Sequence, residues 1–94
     1  MTPPAVHLAA DDPVVIRAVR AAFEEEGVPL LVVAPCSARE AALASPLQIG
    51  IAAEAHIEIA LATGPDVPYV VGDDARAMGR IAARLAARRP LGVA

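Results

Sequence analysis

Two pieces of punctuation, Asp12-Pro13 and Gly27-Val28-Pro29, constrain the fold of this chain more than any other feature. Asp12 is a good helix N-cap, because its carboxylate can accept from an amide the first turn leaves unpaired. Pro13 follows where a missing N–H costs nothing. At the other end Gly27 can take the left-handed conformation that closes a helix, and Pro29 stops it from continuing. Between the marks Val15, Ile16, Val19, Ala22 and Phe23 recur at helical spacing on one face, with Arg17, Arg20 and Glu24 opposite. Arg20 and Glu24 stand four apart and are placed to pair. Ala5 to Ala10 reads as a first, buried strand before the helix, and the continuous apolar run Leu30 to Ala34 as a second strand after it. Strand, helix and strand with links this short imply a right-handed parallel crossover.

Downstream the punctuation continues. Ser37 caps a short second helix through Ala44, with Arg39 and Glu40 on its surface, and Ser45-Pro46 ends it. Leu47, Ile49 and Ile51 alternate with Gln48 and Gly50; Ile57, Ile59 and Leu61 alternate with His56, Glu58 and Ala60. Both are half-buried strand patterns, and the short turn at Ala53-Glu54-Ala55 makes them an antiparallel hairpin. Thr63 to Asp66 is a loop, and Tyr69 to Val71 a further short strand. Asp73 is expected to cap a last helix running to Arg88 or Arg89, with Met78, Ile81, Ala82 and Leu85 inward. Arg76, Arg80 and Arg84 then form an outward stripe that Arg88 continues, ahead of an extended tail from Pro90 to Ala94. The pattern is α/β: one compact three-layer domain over residues 1–94, a mixed, mainly parallel sheet carrying an antiparallel hairpin, with helices on its faces.

The core must be aliphatic, since hydrophobic residues make up 56% of the chain and aromatics 2%. All 8 basic residues are arginine, which excludes a phosphate-loop lysine and a lysine Schiff base. A net charge of −3 argues against a nucleic-acid partner. No apolar run is long enough to span a bilayer, and Met1-Thr2-Pro3-Pro4 has no signal-peptide character. A single cysteine, Cys36, fits a cytoplasmic protein.

Candidate chemistry is sparse. His7 and His56 lack metal-ligand spacing, no Gly-x-Ser-x-Gly elbow or Gly-x-Gly-x-x-Gly loop is present, and Cys36 stands alone before a helix. The exception is Glu24-Glu25-Glu26, three carboxylates at a helix end that is already partially negative. Water, a neighbouring cation or a partner must offset the repulsion. Either the cluster is a solvated helix end, or it offers a carboxylate to a metal or to a basic partner surface. Arg76, Arg80 and Arg84 are likewise either a solvated face or a dock for an acidic partner.

Leu8-Ala9-Ala10-Asp11-Asp12-Pro13, followed by a helix ending at Gly27, resembles a response-regulator receiver domain. The likeness stops there: Leu47-Gln48-Ile49-Gly50-Ile51 carries no phospho-accepting acid, and the late lysine is missing. A second resemblance runs the whole length. Phe23-Glu24-Glu25-Glu26-Gly27-Val28-Pro29, then Ala44-Ser45-Pro46-Leu47-Gln48-Ile49-Gly50-Ile51, then Met78-Gly79-Arg80-Ile81-Ala82-Ala83-Arg84-Leu85 with Pro90-Leu91 behind is similar to the small subunit of glycerol and diol dehydratase reactivases. The related medium subunit of the dehydratases shares the order. The stretch from Ala34 to Ala44 is shorter than that family's, so its second helix is trimmed.

This resemblance implies a non-catalytic, chaperone-like subunit. It would act with a large ATPase subunit on coenzyme-B12-dependent dehydratase, exchanging with a dehydratase subunit so that damaged cobalamin leaves. It implies no cofactor on the isolated chain, and Mg2+ at the large-subunit interface, with Glu25 the residue matching the family's metal-approaching glutamate and Glu24 and Glu26 beside it. It places the chain in the cytoplasm, including bacterial microcompartments. The alternatives are a cobalamin-dependent medium-subunit-like protein, a degenerate receiver-like signalling domain and a homo-oligomeric interaction module.

Overall fold

The structure is a computed structural model that describes residues 3–65 and 67–87. Its elements are β1 (Val6–Ala9), α1 (Pro13–Glu26), β2 (Leu30–Val33), α2 (Ala38–Ala44), β3 (Ile49–Ala53), β4 (Ile57–Leu61), β5 (Val70–Gly72) and α3 (Ala75–Ala87). The strands form one sheet in the order β2-β1-β3-β4-β5. β1 pairs in parallel with both β2 and β3, whereas β4 runs antiparallel to β3 and to β5. The α/β expectation, with a parallel core and an antiparallel hairpin, holds. No helix among the described residues is long and apolar enough to cross a membrane.

The two faces of the sheet are built differently. Against α1 and α3 lie Val6, Leu8, Ile49, Ile51, Ile57 and Ile59, packed with Val19, Phe23, Met78, Ala82, Ala83 and Ala86. A fully buried Ile, Leu or Phe contributes about 1.5–3 kcal/mol, so this face carries most of the hydrophobic stabilisation. Against α2 the contact is alanine on alanine: Ala9, Ala52 and Ala60 meet Ala38 and Ala41. Alanines bury little area, and α2 is held by proximity instead. Gly50 permits it, because a Cβ there would collide with the Ala42 nitrogen and the Ala38 oxygen and lie 2.7 Å from the Ala41 carbonyl carbon.

That second layer corrects the strand reading. β3 was expected to be half-buried, but Ile49 to Ala52 are all buried. Its alternate residues, Gly50 and Ala52, are small because a helix backbone sits on them, not because they face water. β3 also begins later than its apolar pattern. Leu47 belongs to a turn, and Gln48 has φ 62°, the left-handed region that few non-glycine residues occupy. The turn is pinned from below by Ser45, buried, whose Oγ donates to the Ala5 carbonyl at 2.6 Å and accepts from the Leu47 amide at 3.1 Å.

The caps follow local chemistry. Asp12 accepts from the Val14 amide at 2.9 Å, and Ser37 and Glu40 form a reciprocal capping box at the start of α2. The last helix departs from expectation. Asp74, not Asp73, caps α3, accepting from the Ala77 amide at 3.1 Å. The inward face comprises Met78, Gly79, Ala82, Ala83 and Ala86, while Ile81, expected inside, is 40% exposed. Gly79 explains the rotation: a Cβ there would lie 3.0 Å from the Ala22 Cβ and 3.1 Å from the Val19 Cα, so α3 turns its smallest residue to α1. The predicted extension of α3 to Arg88 or Arg89, the place of Arg88 in the stripe, Asp66 and the extended tail lie outside the described residues.

Candidate functional site

The end of α1 is closed by backbone before any side chain is involved. Gly27 has φ 71°, its amide donates to the Glu24 carbonyl, and the Val28 amide donates to the Phe23 carbonyl at 3.1 Å. This is the Schellman arrangement, and it satisfies two of the carbonyls a helix end leaves open. It does nothing for the charge. The helix still presents its negative end, with Glu24, Glu25 and Glu26 upon it.

The arginines of α3 supply the offset. Arg76 donates through Nη2 to a Glu25 carboxylate oxygen, and Arg84 donates through Nε to Glu26 Oε2 at 3.3 Å. Arg80 lies between them on the helix, half-buried and with no carboxylate at ion-pair distance among the described residues. The Arg76 hydrogen bond, then the Arg76 charge and then the more distant Arg80 charge hold the Glu25 carboxyl below its ordinary range. The two pairs differ in setting. The Glu26 side chain is 24% exposed, while that of Glu25 is 53% exposed and faces outward. Glu24 and Arg20 do not form the expected ion pair; with Arg17, Ile16 and Val32 they line a cleft between α1 and the edge strand β2. Thus the acidic cluster and the arginine stripe, candidate sites read separately from the sequence, form one surface in which Glu25, Glu26, Arg76 and Arg84 meet.

A second cluster escaped sequence reasoning. His56, in the β3–β4 turn, and Asp73, before α3, approach to 2.8 Å between Nδ1 and Oδ1. The aspartate hydrogen bond, and then its charge, raise the His56 pKa. They border a cavity of about 390 Å³ that also touches Asp11, Asp12 and Glu54. This lies outside the carboxyl ends of β1 and β3, where the strand order reverses and α/β sheets commonly bind ligands. Nevertheless, no group of three or more metal-ligating side chains converges among the described residues. Cys36 lines a neighbouring cavity of about 380 Å³ with Ser37 and His56. The signal for the His56–Asp73 pair was present only as topology: the β3–β4 turn and the end of β5 must lie on the same side of the sheet.

Similarity to known proteins agrees with the whole-chain resemblance. No family model and no curated protein matches the sequence. Two solved structures do. A glycerol dehydratase reactivase chain is 28% identical, with a TM-score of 0.81, over 97% of this chain and 98% of its own. A chain of a diol dehydratase-reactivating factor, solved in complex with ADP and Mg2+, is 28% identical, with a TM-score of 0.78, over 98% of this chain and 100% of its own. The chain therefore resembles dehydratase reactivase chains of its own size, along nearly all of their length.

Proposed function

We propose that this chain is the small subunit of a reactivating factor for coenzyme-B12-dependent glycerol or diol dehydratase. The observation that carries this reading is the two-way coverage at 28% identity: the chain matches one entire reactivase chain rather than a module within it. In this role the chain is non-catalytic. It docks on a larger ATPase subunit and exchanges with a dehydratase subunit of similar shape, so that damaged cobalamin is released. Cytoplasmic placement, within a microcompartment or outside it, accompanies that role.

Glu25 is the residue we assign to the large-subunit contact. Its carboxylate is exposed, stays ionised, and offers the hard oxygen that a divalent cation such as Mg2+ prefers. One carboxylate does not fill a six-coordinate shell, so the chain supplies one ligand and the partner the rest. When bound, the cation would cross-link the two subunits electrostatically. This chain's own residues present Glu25 at a rigid, Schellman-capped helix end, with Glu24 beside it and Arg76, Arg80 and Arg84 available to acidic groups on the partner.

The test is complex formation with the larger subunit of a diol dehydratase-reactivating factor, loaded with ADP and Mg2+, followed by calorimetry. A stoichiometric complex that Glu25→Ala weakens at least tenfold is expected. Failure to associate, or association indifferent to Glu25, refutes the assignment. Adding the chain and large subunit to dehydratase inactivated with cyanocobalamin should release the corrinoid, read by its visible spectrum.

A further inference from the structure

In the free chain Glu25 is already occupied. Arg76, from the first turn of α3, sits on the carboxylate that any cation or cationic partner group would need. A monodentate guanidinium contact fills one of the two oxygens, and the positive charge beside it repels a second cation arriving on the other. We propose that Arg76 is an intramolecular stand-in for the partner's cation, a latch that must open before the α1 end engages another subunit. This inference rests on the role proposed for Glu25 and adds its regulation.

Three observations favour a latch over a structural strut. First, the pair is peripheral: the Arg76 and Glu25 side chains are 44% and 53% exposed, so breaking it uncovers no core. By contrast Arg84 secures Glu26, whose side chain is largely covered, and that pair keeps the helix end seated when Arg76 leaves. Second, Arg76 springs from the first turn of α3, where a positive side chain is unfavourable to the helix dipole. Local helix energetics therefore do not call for it, and its partner on α1 does. Third, Arg80 stands between the two paired arginines without a carboxylate of its own among the described residues. Its charge acts on Glu25 more weakly than that of Arg76, so the departure of Arg76 alone removes most of the positive charge an arriving cation would meet. An exposed ion pair of this kind is weak, which suits a latch; it lowers the apparent affinity of a competing ligand by roughly two- to fivefold.

The experiment is a double-mutant cycle on the complex with the ADP- and Mg2+-loaded large subunit of a diol dehydratase-reactivating factor, using wild type, Arg76→Gln, Glu25→Gln and the double variant. Arg76→Gln is expected to tighten association about two- to fivefold at low salt. The gain should shrink towards unity at about 0.5 M salt, where exposed pairs are screened. It should also vanish in the Glu25→Gln background, because a latch with nothing to hold has no effect. Tightening that persists without Glu25, no change, or weaker binding would each overturn the latch; weaker binding would make Arg76 a direct partner contact. If Glu25→Gln alone leaves affinity unchanged, the metal-contact reading fails, and the latch as a regulator fails with it. If Glu25→Gln weakens binding and Arg76→Gln does not tighten it, only the latch fails. Heteronuclear NMR of each free variant establishes that the fold is retained, and the Glu25 carboxyl resonance should titrate higher in Arg76→Gln than in wild type.

Discussion

Substituting Gly50 by alanine tests the packing that seats α2. The added Cβ meets backbone on three sides: the Ala42 nitrogen, the Ala38 oxygen and the Ala41 carbonyl carbon at 2.7 Å. Backbone cannot rotate away as a side chain can, so relief requires α2 to lift by about 1.5 Å, to ordinary contact distance near 3.5–4 Å. Lifting it separates the alanine layer, which has no long side chain to bridge the gap. Overpacking of this severity costs about 3 kcal/mol. The loss of glycine's freedom in the unfolded chain returns about 0.4–1 kcal/mol, leaving a net loss of about 2–3 kcal/mol. For a domain of this size that lowers Tm by roughly 10–20 °C, and the urea midpoint by roughly 1.5–2 M at an m-value near 1.5 kcal/mol/M. Gly72→Ala is the matched control. It lies in the same sheet, but its Cβ would meet only the Met78 side chain, with Sδ at 2.8 Å, and a thioether can move. Urea melts of the two variants should separate by at least about 1.5 kcal/mol. If Gly50→Ala loses less than about 0.5 kcal/mol, or melts with Gly72→Ala, close backbone approach is not what holds α2.

Three other expectations follow from single contacts. Ser45→Ala strands the buried Ala5 carbonyl and the Leu47 amide, and should cost about 1–3 kcal/mol in urea denaturation, whereas Ser45→Thr should recover part of the loss. Asp12→Ala removes the α1 cap and should cost about 1 kcal/mol, with Asp12→Ser close to wild type; equal stability of all three would refute the capping assignment. Because the His56 pKa in the folded chain lies above its ordinary value of 6.5, the pair with Asp73 stabilises most when the imidazole is protonated. Its contribution is complete below that ordinary value and is lost as pH rises through the raised one; Asp73→Asn should bring the His56 NMR titration midpoint down, and an unmoved midpoint would show the pair to be absent in solution.

Much of the fold is legible along the chain because it depends on neighbours a few residues apart. Asp12 and Ser37 cap the helices that follow them, Gly27 closes α1, and apolar periodicity separates helix from strand. The same locality explains the failures. Gly50 and Ala52 resemble the water-facing half of a strand pattern, since small residues do not report whether a helix covers them. Ile81 looked like core because a helical wheel fixes spacing but not rotation, and rotation was set by Gly79 against Val19 and Ala22 of another element.

The functional surface divides in the same way. From the sequence alone, three acids at a helix end needed compensation, and Arg76, Arg80 and Arg84 shared one helix face. That these answer each other is tertiary information: Glu25 and Arg76 are 51 residues apart, and Glu26 and Arg84 are 58. Local propensity acts through a few bonds and is written in order along the chain. Charge pairing acts through space, and only the packing of α1 beside α3 on one face of the sheet decides which arginine reaches which glutamate.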